Sequence, residues 1–130
     1  MNISDKLVHI FLVEDDEVDI LYIKYTFREY NIFNTLDISR DGEEALEKIL
    51  NFPADKLPKI ILLDINMPKM NGFEFLEKIR EYPTLASIPV IIISTSINNS
   101  DRKRASKLQV AEYFSKPLDV EKFFTFYRNL

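Results

Sequence analysis

Ile60-Ile61-Leu62-Leu63-Asp64-Ile65-Asn66-Met67-Pro68 is the stretch on which the reading of this chain turns. Four apolar residues in a row, with no polar alternation, are expected of a parallel strand buried on both faces. The run stops on a carboxylate and then turns at a proline. Asp64 is therefore expected at the mouth of a sheet, where open α/β folds bind their ligands. A second apolar run, Val8 to Val13, also ends on acids, Glu14-Asp15-Asp16. Two strands delivering carboxylates to one sheet edge make a pocket with more negative charge than it can hold unaided. Such a pocket calls for a cation, and one of its acids is a candidate nucleophile.

Working outward, further strand-length runs lie at Leu36–Ser39, Val90–Ile93 and Glu112–Ser115. Helical spacing fills the gaps: Glu17–Tyr30, Glu43–Leu50, Gly72–Glu81, Ser100–Leu108 and Asp119–Leu130. Asp41 and Asp119 stand where helix N-caps are expected. Pro53 and Pro58 punctuate the loop before the third strand, and Pro83 and Pro89 the loop before the fourth. Strict βα alternation predicts a doubly wound α/β fold, with five parallel strands, five helices on both faces and right-handed crossovers.

The 130 residues fit one domain, 1–130, and a hydrophobic content of 46% suffices for a core. A net charge of −4 argues against a nucleic-acid surface. The absence of cysteine excludes disulfides, thiolate metal sites and a cysteine nucleophile. The N-terminus lacks the pattern of a signal peptide, and no apolar run approaches membrane-spanning length. A cytoplasmic protein, engaging neither membrane nor nucleic acid, is expected.

Glu14 and Asp15 follow the first strand and Asp64 ends the third. If those strands are neighbours, the three carboxylates lie within a few ångströms of one another. A hard divalent ion such as Mg²⁺, bound through oxygen ligands, resolves their repulsion and prepares a phosphoryl group for in-line attack by Asp64. Asp16 and Asp19 read more readily as turn or capping residues. Ser94 closes the fourth apolar run and Lys116 the fifth. A hydroxyl can donate to a phosphoryl oxygen, and an ammonium can pair with it or with Asp64. Each is unremarkable alone; together they complete a site drawn from four strand ends.

The constellation resembles a two-component response-regulator receiver domain. The matching stretches are Phe11-Leu12-Val13-Glu14-Asp15-Asp16, Asp41-Gly42-Glu43-Glu44-Ala45-Leu46, Leu62 through Gly72, Pro89-Val90-Ile91-Ile92-Ile93-Ser94 and Tyr113-Phe114-Ser115-Lys116-Pro117, covering nearly the full length. Glu14-Asp15-Asp16 followed by Asp19 is also similar to the stand-alone regulators associated with phytochrome-type kinases. The resemblance implies a flavodoxin-like fold with strand order 2-1-3-4-5. It implies that Asp64 is the phosphoacceptor, fed by a sensor histidine kinase or a phosphotransfer protein, to give an aspartyl phosphate. It makes Asp15, Asp64 and the backbone carbonyl of Asn66 ligands of Mg²⁺, with Glu14 acting through water. Ser94 and Tyr113 become the switch pair, Lys116 the phosphoryl contact, and Lys116–Pro117 a cis bond. Asn66 and Ser96 occupy the two positions that tune hydrolysis; both are small and polar, which implies no unusually long-lived phosphate.

Several departures and surfaces carry further expectations. Gln109-Val110 stands where the family has a glycine and a small residue, so the loop into the fifth strand is expected to turn differently. Asn71 replaces a common aspartate. The first helix carries two apolar stripes, one of Val18, Leu21, Tyr22 and Tyr25, the other including Ile20, Ile23, Phe27 and Tyr30. One must pack on the sheet, which leaves the other as a kinase contact or a wide core edge. Val120, Phe123, Phe124 and Tyr127 share the core face of the last helix, with Phe126 flanking it or open to a homodimer or effector. Arg102-Lys103-Arg104 with Lys107 reads as a solvated face or a surface for an acidic partner. The last helix ends the sequence, so the expected output is contact with an effector, phosphorelay, or a homodimer through the face of the fourth helix, fifth strand and fifth helix. The expected catalysis is limited to the protein's own phosphorylation and dephosphorylation. An aspartyl phosphatase would want an acid at Asn66 as well. A receiver fold used only for binding would not need Glu14, Asp15, Asp64, Ser94 and Lys116 together. A flavin-binding domain would need a phosphate loop where Glu14-Asp15-Asp16 stands.

Overall fold

The computed structural model describes residues 9–30, 36–67, 69–96 and 98–130. Its strands are β1 (Ile10–Val13), β2 (Leu36–Ser39), β3 (Ile60–Leu63), β4 (Val90–Ser94) and β5 (Glu112–Ser115). Its helices are α1 (Glu17–Glu29), α2 (Gly42–Asn51), α3 (Gly72–Ile79), α4 (Pro83–Ala86), α5 (Asn99–Lys107) and α6 (Val120–Arg128), with a 3₁₀ turn at Ala54–Lys56. All pairings are parallel, in the order β2-β1-β3-β4-β5. The doubly wound, flavodoxin-like architecture is therefore as expected. Among the described residues there are six helices instead of five: Pro83, read as a loop marker, opens the single turn α4, a position proline favours because it lacks the N–H that a first turn leaves unpaired. Val8, expected to begin β1, lies outside the described residues.

The strand faces sort by alternation. Ile10, Leu12, Ile60, Leu62, Ile91 and Ile93 point to the side covered by α1 and α6, where they meet Ile20, Ile23, Phe27, Phe123 and Tyr127. Phe11, Val13, Ile61, Leu63 and Val90 point the other way, onto Ala45, Ile49, Phe75, Leu76 and Ile79 of α2 and α3. The three central strands β1, β3 and β4 are buried at every position, whereas β2 and β5 form the edges. Each such aliphatic or aromatic side chain contributes about 1.5–3 kcal/mol by leaving water. Phe126 is partly buried against the first of these cores and so flanks it.

Helix starts are set by short polar side chains. Asp16 accepts from Val18 N and Asp19 N, Asp41 from Glu44 N, and Asp119 from Glu121 N and Lys122 N. Asn71 and Glu74 form a reciprocal capping box at α3, so the missing aspartate costs nothing there. The turn out of α5 is an ordinary Schellman motif: Gln109 N donates to Ser106 O at 3.1 Å and Val110 N to Ala105 O at 3.3 Å. Gln109 adopts φ 59° to make it. A non-glycine residue thus takes the left-handed conformation in this loop. The Arg80 guanidinium braces it, donating to Leu108 O at 3.1 Å, Gln109 O at 3.3 Å and Ala86 O at 2.9 Å. Desolvation by burial lowers the Arg80 pKa from its ordinary value. No helix among the described residues is long and apolar enough to cross a membrane.

Candidate functional site

β1 and β3 pair in register, Val13 opposite Leu63, so the next residue of each, Glu14 and Asp64, emerges at the same edge. Backbone bonds pin both: Asp64 N donates to Val13 O and Glu14 N to Ser39 O, each at 2.9 Å. Carboxylate oxygens of Glu14, Asp15 and Asp64 all lie within 4.8 Å of one another, the one such group of acids among the described residues. Glu14 and Asp64 are buried, and Asp15 is exposed at the rim.

Lys116 enters from the end of β5 and supplies the positive charge. Its Nζ stands 2.6 Å from Glu14 Oε1, 2.7 Å from Asp19 Oδ2 and 3.6 Å from Asp64 Oδ2. The Lys116–Pro117 bond is cis. Burial by itself lowers the lysine's pKa, but its hydrogen bond to Asp19, its close pairing with Glu14 and the charge of Asp64 outweigh this and raise it. Glu14 is pushed up to about 8, first by burial and then by the neighbouring Asp64, with Lys116 pulling the other way. Glu14 Oε2 accepts from Asp15 N at 3.0 Å and Asp16 N at 3.4 Å. Its Oε1 is buried with no well-directed hydrogen bond, because the ammonium is close but poorly aligned with it. A buried, under-coordinated carboxylate oxygen among three acids and one ammonium is a donor set that fits Mg²⁺, which takes oxygen ligands and offsets negative charge.

Ser94 closes β4, fully buried, and its Oγ accepts from Ser96 N at 3.0 Å. Ser96 is a junction that the sequence did not reveal. Its carbonyl accepts from Tyr113 Oη at 3.3 Å, and its hydroxyl donates to Asp101 on α5 at 2.7 Å. Tyr113 is half-buried beneath the Arg102 guanidinium, 4.5 Å from the ring centroid. Arg104 lies over Phe73 and pairs with Glu77 at 2.7 Å. Two members of the basic cluster are thereby engaged within the chain. Asn66 is exposed beside Asp64, whose Oδ1 accepts from Asn66 N at 3.2 Å. Asp16 is the expected helix cap, but Asp19 is not a bystander: it is bonded to Lys116, a partner that local patterning does not disclose.

On α1 the sheet takes Ile20, Ile23 and Phe27. It leaves Val18, Leu21 and Tyr25 in solvent, at 74%, 55% and 62% exposure. Tyr22 is partly exposed and donates to Leu118 O at 3.1 Å.

The family model for the response regulator receiver domain matches residues 10–128. Response regulator Rcp1 of Synechocystis sp. is 34% identical over 118 residues, 88% of this chain and 80% of its own length. The probable methanogenesis regulatory protein FilR2 of Methanothrix harundinacea is 33% identical over 114 residues, covering 86% of this chain and 74% of that one. The crystal structure of the phosphorylated cyanobacterial phytochrome response regulator RcpA superposes with a TM-score of 0.79 at 35% identity, over 95% of this chain and 91% of that one. The Mn²⁺-bound form of Rcp1 gives 0.77 at 31% identity, over 94% and 90%. From its fold, its acid pocket and these likenesses, the chain belongs to the response regulator receiver-domain family.

Proposed function

We propose that residues 1–130 form a single receiver domain in which Asp64 accepts a phosphoryl group from a sensor histidine kinase or phosphotransfer protein. The observation that carries the reading is the setting of Asp64. It is a buried carboxylate at a strand end, 3.6 Å from the pocket's ammonium and grouped with Glu14 and Asp15. An Asp64 carboxylate oxygen attacks phosphorus, the new P–O bond forms as the donor's P–N bond breaks, and the donor imidazole leaves. Asp15, Asp64 and the Asn66 carbonyl would hold Mg²⁺, with Glu14 acting through water; the ion supplies charge neutralisation and polarisation of the phosphoryl oxygens. Lys116 pairs with one phosphoryl oxygen and Ser94 donates to another.

The response follows from the Ser96 junction. Ser94 Oγ presently accepts the Ser96 amide, and the same loop is tied to Tyr113 and to α5. Drawing Ser94 to a phosphoryl group loosens that amide bond and frees the loop. Tyr113 must then leave the Ser96 carbonyl and its Arg102 cover to turn inward. The face built from α5, β5 and α6 is remodelled as a population shift between two states. Phe114, Phe126 and Leu130 line a groove of about 400 Å³ beside that face, suited to an effector or a second copy. The exposed Val18, Leu21 and Tyr25 begin within a few residues of the acid pocket and suit a kinase or phosphotransfer partner.

The direct test is intact mass after incubation with acetyl phosphate, with and without Mg²⁺, for wild type and Asp64→Asn. One phosphoryl group gained only with Mg²⁺, and only by wild type, is expected. No gain from acetyl phosphate or a phosphohistidine donor, together with no Mg²⁺ binding, would overturn the reading.

A further inference from the structure

Lys116 has three N–H donors, and its present partners are Glu14 at 2.6 Å, Asp19 at 2.7 Å and, beyond hydrogen-bonding distance, Asp64 at 3.6 Å. Asp19 projects from the first turn of α1, where its own N–H donates to the Asp16 cap at 3.3 Å. Its carboxylate is thus carried on a fixed helix at the pocket rim, with 31% of the side chain exposed. We infer that Asp19 is a positioning residue for phosphoryl transfer, holding the Lys116 ammonium back from Asp64 and competing with the incoming phosphoryl group for it. The inference rests on the phosphoacceptor reading and deepens it.

A phosphoryl group arriving on Asp64 brings negative oxygens to the side of Lys116 now left at 3.6 Å. To reach them the ammonium must close that gap, and its flexible four-carbon stem permits the swing. One of its two short contacts must lengthen. Glu14 is fully buried and its Oε1 has no other hydrogen bond, so losing the lysine would strand a buried carboxylate oxygen; Asp19 is partly exposed, so bulk water takes the ammonium's place there. The Asp19 bond is therefore the one that yields, and the Asp19 charge opposes the arriving anion as well. Neutralising Asp19 with its shape kept leaves Lys116 held by Glu14 and free to follow the phosphoryl group. Keeping the charge one methylene further out, as in Asp19→Glu, preserves the competition.

The test compares wild type, Asp19→Asn and Asp19→Glu, with Asp19→Ala in parallel in case the asparagine variant fails to fold. Initial rates of phosphoryl gain are followed by intact mass over a range of acetyl phosphate concentrations at saturating Mg²⁺. In the resting protein, the acetylation rate of Lys116 by acetic anhydride is read by peptide mass spectrometry against the other lysines. Asp19→Asn is expected to raise the maximal phosphorylation rate by about 1.4-fold to fivefold, the range that corresponds to an exposed ion pair. Its half-saturating donor concentration should stay unchanged, Lys116 should become selectively more reactive, and Asp19→Glu should remain near wild type. A residue that merely supports the fold would slow phosphorylation and make many lysines more reactive at once. Equal or slower phosphorylation of Asp19→Asn, or unchanged Lys116 reactivity, overturns the inference and leaves the phosphoacceptor reading standing. Failure of wild type to be phosphorylated at all overturns both.

Discussion

The chain has two glycines, and replacing Gly72 by alanine tests whether the backbone around Asp64 is as tightly determined as the geometry implies. Gly72 opens α3, and its N–H donates to Ile65 O at 3.2 Å, which lays the helix start across the end of β3. A Cβ at this position would stand 2.3 Å from the Asp64 carbonyl oxygen and 2.7 Å from Ile65 Cα, where real Cβ atoms essentially never come within 3.0 Å. The obstacles are backbone atoms, so no side-chain rotation relieves them, and about 0.7 Å of movement must be shared between α3 and Asp64 itself. Overpacking of this kind costs about 1–3 kcal/mol of stability. A displacement approaching 1 Å at a reacting group costs on the order of 100-fold in rate, so Gly72→Ala should phosphorylate roughly 10- to 100-fold more slowly. Urea unfolding gives the first quantity and the rate of mass gain with acetyl phosphate and Mg²⁺ gives the second. Gly42→Ala is the control. Its Cβ would meet Met70 O at 2.4 Å and Met70 Cγ at 2.9 Å, in the loop after Asp64 and away from the carboxylate. It should lose comparable stability with a smaller loss of rate. If Gly72→Ala phosphorylates within about twofold of wild type and unfolds within about 0.5 kcal/mol of it, the claim that α3 fixes Asp64 is wrong.

Two further outcomes follow from charge and backbone. Glu14 is pushed up to about 8 from an ordinary 4.5, so the folded protein holds this proton more tightly than the unfolded chain. Its contribution favours the fold below pH 4.5 and is lost as pH rises from there to about 8. In EDTA, wild type should therefore lose roughly a few kcal/mol relative to Glu14→Gln across that window, a difference that Mg²⁺ should largely abolish; urea melts at several pH values that show no relative slope would refute it. Gln109 sits at φ 59°, a conformation costing a non-glycine residue about 1 kcal/mol, partly offset by the extra chain entropy glycine loses on folding. Gln109→Gly should thus raise the unfolding free energy by about 0.5 kcal/mol in urea, with the phosphorylation rate unchanged.

The fold was legible because of how a doubly wound sheet is built. Central strands are buried on both faces, so they read as unbroken apolar runs, and the residue that ends a run marks the functional edge. Asp64 and Ser94 were found that way, and Glu14 by the same rule one strand over. The order of the strands does not follow from the runs, since any permutation would leave them equally apolar; it came from the likeness to a family. Asp19 escaped because its partner, Lys116, is 97 positions away, and a carboxylate in the first turn of a helix already has a sufficient local explanation. Ser96 escaped as a junction for a similar reason: its partners come from β5 and α5, and only the tertiary fold brings them to one loop.

The first helix shows where the two kinds of information meet. Its sequence offers two apolar stripes, and periodicity cannot say which one packs. The tight turn through Glu14, Asp15 and Asp16 decides, because it fixes the rotation at which α1 leaves the sheet edge, and Asp16 caps the helix at that rotation. Ile20, Ile23 and Phe27 then fall on the β-sheet, and Val18, Leu21 and Tyr25 fall outside. The same few residues that deliver acids to the pocket therefore also set an apolar surface beside it. If a partner's phosphohistidine supplies the phosphoryl group to Asp64, a docking surface on α1 places recognition and phosphoryl transfer within one short segment. Substitutions at Leu21 or Tyr25 should accordingly weaken transfer from a protein donor while leaving acetyl phosphate unaffected, a separation that changes to the pocket itself cannot produce.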